Sequence, residues 1–245
     1  MTERLLELLD AQPGERILEL GAGLGEVGEL LLPVVGDRGE VVLTDNSPGM
    51  LQAAEERIGR AENLTFAVAN AESTDFDDGT FDRVVARFAL MLLPDVSAGF
   101  AEAFRVVRPG GRFAFAVWAT APENPWGSTI GRTMMQLGLA EPPEPDAPGP
   151  FRLGDPDRLR SLLASSGFDQ PQLESVEIEM SYESPAQHWE VTRDLSSMFR
   201  TTLERLTEPE RERFERAVAV ALEPYANAGG VSVPGRAWVV RADRA

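Results

Sequence analysis

The stretch Arg16-Ile17-Leu18-Glu19-Leu20-Gly21-Ala22-Gly23-Leu24-Gly25-Glu26 decides the fold. Its first five residues form a short, largely apolar run suited to a buried strand. Three glycines at alternate positions follow, and helical spacing resumes over residues 26–32. Strand, glycine turn and helix in this order open a doubly wound α/β sheet. The glycines let the backbone turn sharply and come close to a ligand. The helix N-terminus behind them presents free N–H groups to polar ligand atoms.

The same alternation continues on either side. Thr2 is placed to cap a helix whose apolar face is Leu5, Leu6, Leu8 and Leu9, with Pro13-Gly14 as its stop. Residues 39–44 read as a second strand ending at Asp45, and Ser47-Pro48 opens a helix to residue 61. Strands are expected over 64–69, 81–88 and 112–118. A helix is expected over 97–107 and turns at Asp77-Asp78-Gly79 and Pro109-Gly110-Gly111. Single helices between strands imply right-handed crossovers and a mostly parallel sheet.

Composition changes after residue 118. Seven of the eighteen prolines (Pro122, Pro125, Pro142, Pro143, Pro145, Pro148 and Pro150) lie within 122–150, with helical spacing over 126–139 between them. Asp155-Pro156 caps a helix that stops at Gly167, and 173–182 alternates as a strand. Residues 185–206 read as helix. Thr207-Glu208-Pro209-Glu210 is a capping box opening a helix to 225, and 236–241 is the last strand. The expectation is one α/β domain, doubly wound and Rossmann-like, with a seven-stranded, mostly parallel sheet. Residues 1–118 form its ligand-binding half. Insertions at 119–154 and 183–230 form a helical cap over the sheet's ligand edge, and 155–182 and 231–245 complete the sheet.

Absences narrow the chemistry. The chain of 245 residues has no cysteine, which removes disulfides, thiolate zinc sites and cysteine nucleophiles. All 23 basic residues are arginine, which removes a P-loop lysine and Schiff-base chemistry. His188 is the single histidine, so no multi-histidine metal site exists. The formal net charge of −17 repels nucleic acid and anionic membrane surfaces. No apolar run approaches the roughly 20 residues that span a bilayer, and the acidic N-terminus is unlike a secretory signal. A soluble cytoplasmic protein is expected. The oligomeric state is open, a homodimer included.

Twenty residues after Gly25, Asp45 ends the second strand. In a doubly wound sheet that carboxylate sits where a ribose binds. A dinucleotide and S-adenosylmethionine share this logic. The dinucleotide pattern wants a third glycine where Glu26 stands, and a carboxylate there opposes a pyrophosphate. The shifted frame 23–28 fits the glycine pattern but starts late and still carries Glu26. S-adenosylmethionine has no phosphate and bears a sulfonium and an ammonium, so Glu19 and Glu26 favour it.

Four segments in register resemble class I S-adenosylmethionine-dependent methyltransferases of the ubiquinone/menaquinone-biosynthesis-like, small-molecule branch. They are I-L-E-L-G-A-G-L-G (17–25), L-T-D-N-S-P-G-M-L (43–51), V-A-N-A-E-S-T-D-F-D-D-G-T-F-D-R-V (68–84) and R-V-V-R-P-G-G-R-F-A-F-A-V-W (105–118). The resemblance implies that Glu19 and the amides around Gly21, Ala22, Gly23 and Gly25 serve the methionine moiety. It implies that Asp45 binds ribose, that Asn46 lies against adenine, that Asn70 and Ala71 contact the adenine edge, and that Glu72 is close by. Arg87 would face cofactor and substrate. Asn70 departs from the family's usual Asp, but its amide oxygen still accepts a hydrogen bond. Only about fifteen residues precede the first motif, so the family's N-terminal lid is expected to be shortened, or supplied by the insertions or another subunit.

Structural readings stand beside these. Arg87 either contacts substrate or pairs with a carboxylate such as Asp82 or Glu72. Trp118 and Trp126 line the substrate pocket or belong to the core. His188 is a general base and substrate contact, or a satisfied histidine. The activity implied is methyl transfer to an O, N or C nucleophile of a small molecule by proximity, with no residue singled out as essential catalyst. The competing readings are a non-catalytic S-adenosylmethionine-binding protein of the same fold and an NAD(P)-dependent oxidoreductase.

Overall fold

A strand covered on both faces is buried along its length, and β1 (Arg16–Leu20) is buried from Ile17 to Leu20. The computed structural model describes residues 1–144, 146–194 and 197–245. In its first half, α1 (Thr2–Leu9) precedes β1. Then come α2 (Glu26–Val35), β2 (Glu40–Asp45), α3 (Pro48–Ile58), β3 (Leu64–Val68), β4 (Phe81–Arg87), α4 (Val96–Val106) and β5 (Val107–Trp118). The second half holds α5 (Pro125–Gln136), α6 (Pro156–Ser166), β6 (Asp169–Tyr182), α7 (Pro185–Asp194), α8 (Ser197–Glu204), α9 (Glu208–Leu222), β7 (Ala226–Asn227) and β8 (Gly230–Asp243).

The sheet order is β3-β2-β1-β4-β5-β8-β6, with the two-residue β7 against β8. β1 to β5 pair in parallel, and β8 runs antiparallel to β5. Seven strands lie on the main path, as expected. The chain winds outward from β1 to β3 and then returns to place β4 on β1's other side. That reversal opens a crevice beyond the C-terminal ends of β1 and β4, the ligand position in such sheets. Alternate strand residues feed two cores. Ile17, Val41, Leu43 and Val85 pack with α1 and α2 on one face. Leu18, Leu20, Val84 and Ala86 pack with Phe100 and Leu163 on the other.

Two compact units divide the chain. One comprises Met1–Trp118, Pro148–Val176 and Ala237–Ala245; the other comprises Ala119–Ala147 and Glu177–Arg236. In the second, Asn124 is fully buried and satisfied. Its amide donates to the carbonyl of Arg236, and its oxygen accepts from Arg236 N and from the Trp126 indole. Trp189 packs edge-on against Phe214.

Several boundaries differ from expectation. Met1, not Thr2, is the cap residue of α1, and Thr2 lies within the helix. The helix ends at Leu9 because Asp10 takes a left-handed conformation, ahead of Pro13. α2 continues through Pro33 to buried Val35; in a last turn the missing N–H removes a single ladder bond. α3 stops at Ile58, where Gly59 caps it, short of residue 61. Pro109-Gly110-Gly111 is a bulge in β5 rather than a free turn: the register against β4 moves from Phe81↔Val107 directly to Arg83↔Arg112. β8 begins at Gly230 and passes through Pro234-Gly235. A Cβ on Gly235 would lie 2.8 Å from the Trp126 ring, so this glycine permits a close approach within the strand. The helix expected over 185–206 is found as α7 and α8. Leu195 and Ser196 between them, and Pro145 in the proline-rich stretch, lie outside the described residues.

Candidate functional site

The glycine turn follows from its backbone angles. Gly21, Gly23 and Gly25 all have positive φ, which ordinary side chains rarely adopt. A Cβ on Gly21 would lie 2.4 Å from Ala89 Cβ, so the loop sits directly on the segment after β4. A Cβ on Gly23 would meet nothing within 4 Å; that side of the loop is open to a ligand.

Asp45 lies at the end of β2, half-buried, and is held from two sides. Its Oδ2 accepts the amide of Gly23 at 3.0 Å and its Oδ1 accepts the amide of Ser47 at 2.9 Å. This fixes the carboxylate directly against the glycine loop. Asn46 beside it is exposed. The amide of Ala22 donates to Thr44 O at 2.8 Å. The amides of Ala22, Gly23 and Gly25 thus have acceptors within the protein. Those of Gly21 and Leu24 have no protein acceptor among the described residues.

Glu19 is 2% exposed. Its Oε2 accepts the amide of Gly28 at 2.8 Å, and its main-chain oxygen accepts the Thr44 hydroxyl at 2.7 Å. Burial pushes its carboxyl up to about 8, against the pull of the Gly28 hydrogen bond and the Arg87 charge. Arg87 pairs with Glu26 and donates to Thr2 Oγ1 at 3.3 Å. The expected partners are corrected accordingly: Asp82 pairs with Arg108, and Glu72 accepts the amide of Asp95.

Asn70 is exposed, with its amide oxygen accepting Glu72 N at 3.0 Å. That oxygen keeps a second lone pair for a ligand amine. Ala71 is half-buried against the core formed by β4, β5 and α4. Phe88 was not singled out by the sequence. Directly after β4, at φ 57°, it stacks on Trp118 at 4.0 Å and 9°. An aromatic at the turn after Arg87 was the only available signal. The stack stands at the C-terminal ends of β4 and β5.

Trp126 and His188 belong to the second unit, where the fold brings them to each other. His188 is fully buried, and its Nε2 lies 2.8 Å from the carbonyl of Trp126. A carbonyl only accepts, so Nε2 carries the proton and Nδ1 keeps a lone pair. Nδ1 has no hydrogen-bond partner among the described residues.

Known proteins share this architecture. Residues 18–115 match the methyltransferase domain family. The chain is 38% identical over 105 residues to a ubiquinone/menaquinone biosynthesis C-methyltransferase of Vibrio parahaemolyticus, covering 42% of this chain and 40% of that protein. A protein of the same description from Shewanella woodyi is 34% identical over 177 residues, covering 67% of this chain and 70% of that protein. The chain belongs to the class I S-adenosylmethionine-dependent methyltransferases, in the branch related to these enzymes. Among solved structures, the YcgJ protein of Bacillus subtilis shares this fold with a TM-score of 0.66 at 18% identity, covering 100% of this chain and 98% of that one. The match to the Vibrio protein spans about two fifths of that relative's length.

Residues of this chain fit the family's cofactor. The open side of Gly23, the fixed acceptor at Asp45 and a buried carboxyl at Glu19 suit a cationic nucleoside without phosphates. Among the described residues no cluster of histidine and carboxylates is arranged to hold a metal, and no helix is long and apolar enough to cross a membrane.

Proposed function

We propose that this protein transfers a methyl group from S-adenosylmethionine to an O, N or C nucleophile of a small molecule. The observation that carries the reading is the Asp45 carboxylate, clamped by Gly23 and Ser47 beside the open glycine loop. When bound, S-adenosylmethionine supplies an activated methyl on a sulfonium whose leaving group departs neutral, so no acid is required there. Asp45 would orient the ribose through its hydroxyls, the glycine loop would accommodate the methionine moiety, and Asn70 and Ala71 would border the adenine. Arg87, the last residue of β4, would set the charge facing the cofactor's carboxylate. The Phe88–Trp118 stack offers an apolar wall that keeps water from the reacting methyl.

The relatives are described as C-methyltransferases of quinone biosynthesis, one of them as a demethylmenaquinone methyltransferase. An aromatic ring carbon therefore comes first among the acceptors to test. With no cysteine, no lysine and one buried histidine, rate acceleration rests on positioning. We place the activity in the cytoplasm. Calorimetry with S-adenosylmethionine, S-adenosylhomocysteine and NADH is the first test, and the first two should bind while NADH does not. Incubation with a panel of quinols, phenols and amines should then yield S-adenosylhomocysteine. Preference for NADH overturns the reading. Tight cofactor binding with no turnover on any acceptor favours a binding protein instead.

A further inference from the structure

Glu19 is the least exposed acidic side chain of the site, and it lacks a counter-ion. One carboxylate oxygen accepts the Gly28 amide, and the other, Oε1, accepts no hydrogen bond among the described residues. The nearby cation, Arg87 at the end of β4, is engaged by Glu26 and Thr2 and makes no ion pair with Glu19. Two further carboxylates, Glu26 at the start of α2 and Asp45 at the end of β2, raise the cost of a negative charge there. A buried carboxylate with one hydrogen bond and no ion-pair partner is expensive, and protonation relieves the cost. Burial accordingly pushes Glu19 up to about 8.

We propose that Glu19 is a protonated acid in the ligand-free protein and loses that proton when a primary ammonium of the ligand arrives as the missing counter-ion. The inference rests on the functional reading above, in which the ammonium is that of the cofactor's methionine moiety. The O–H bond of the carboxyl breaks and its proton passes to the buffer. The O–H bonding pair stays on the carboxylate oxygen, and the ammonium keeps all its protons while one of its N–H groups hydrogen-bonds to that carboxylate; no oxidation state changes. Free protein binds the proton and the complex does not, so affinity strengthens as pH rises. Glu19 thereby makes the site selective for a nucleoside that carries an ammonium.

The test is calorimetry of the whole protein with S-adenosylhomocysteine in buffers of different ionisation enthalpy. 5′-Methylthioadenosine, the same nucleoside without the amino-acid end, is titrated in parallel. Near neutral pH a proton should leave on binding of S-adenosylhomocysteine and none on binding of methylthioadenosine. Affinity for the former should rise about tenfold from about pH 6 to 7 and flatten above about 8. Glu19→Gln keeps an oxygen for the Gly28 amide and should abolish the release. Should that variant fail to fold, the two ligands on the unmutated protein still decide. Binding of S-adenosylhomocysteine with no proton released, or equal release for both nucleosides, overturns the inference. Failure of both nucleosides to bind overturns the functional reading itself, a different result.

Discussion

Asp45 is the residue on which cofactor recognition turns. Its carboxylate is positioned by two amides and needs no rearrangement to receive two hydroxyls. Asp45→Ala removes a charged acceptor and should weaken S-adenosylhomocysteine binding by about 1–3 kcal/mol, measured by calorimetry. Gly21→Ala tests the loop. Its Cβ would collide with Ala89, and its φ of 66° disfavours any side chain, so both the unfolding midpoint and the affinity should fall. Melting curves and titrations read the two effects separately. These positions were legible in the sequence because their reasons are local: a glycine forced by the backbone, an acid at a strand end. Phe88 and Thr2 were not. Phe88 matters through a stack with Trp118, thirty positions away, and Thr2 through Arg87. The occupied amides of Ala22 and Gly23 were equally hidden, since their acceptors lie on β2.

Elements with chemical punctuation at both ends were read with their boundaries. α6 starts at Pro156 behind Asp155, whose carboxylate accepts the Asp157 amide, and stops at Gly167 with φ 98°. Asp155→Ala should cost about 1 kcal/mol of stability in denaturant unfolding. The capping box at Thr207 and Glu210 forms as expected. Elsewhere packing carried elements beyond their expected bounds: α2 runs on through Pro33, and β8 starts earlier and passes through Pro234-Gly235. α7 carries a pH effect. Burial lowers the pKa of His188 from its ordinary 6.5, against a weaker upward pull from the Trp126 carbonyl. The unfolded chain therefore takes up that proton more readily than the folded one. The stability contributed by neutral His188 is full above about pH 6.5 and declines as pH falls below it. Thermal unfolding across this range should show a steeper acid loss for the native protein than for His188→Gln. Matching slopes would remove His188 as the cause.

At the scale of the molecule, sheet order and the reversal between β1 and β4 place the glycine loop, Asp45 and the end of β4 around one crevice. That much followed from the alternation of strands and helices in the first 118 residues. The second unit was less legible because its helices carry prolines and weak periodicity, and its satisfied polar core, such as Asn124, depends on partners more than a hundred residues away. Cofactor binding should also stabilise the whole chain. S-adenosylhomocysteine at a hundred times its Kd should add about 2.7 kcal/mol, seen as a raised melting temperature, while NADH should leave it unchanged. Crystals grown with S-adenosylhomocysteine provide the most direct test. The account predicts the nucleoside in the crevice beyond β1 and β4, with both ribose hydroxyls within hydrogen-bond distance of Asp45. A nucleoside bound elsewhere, or a crevice filled by protein side chains at saturating ligand, would contradict it.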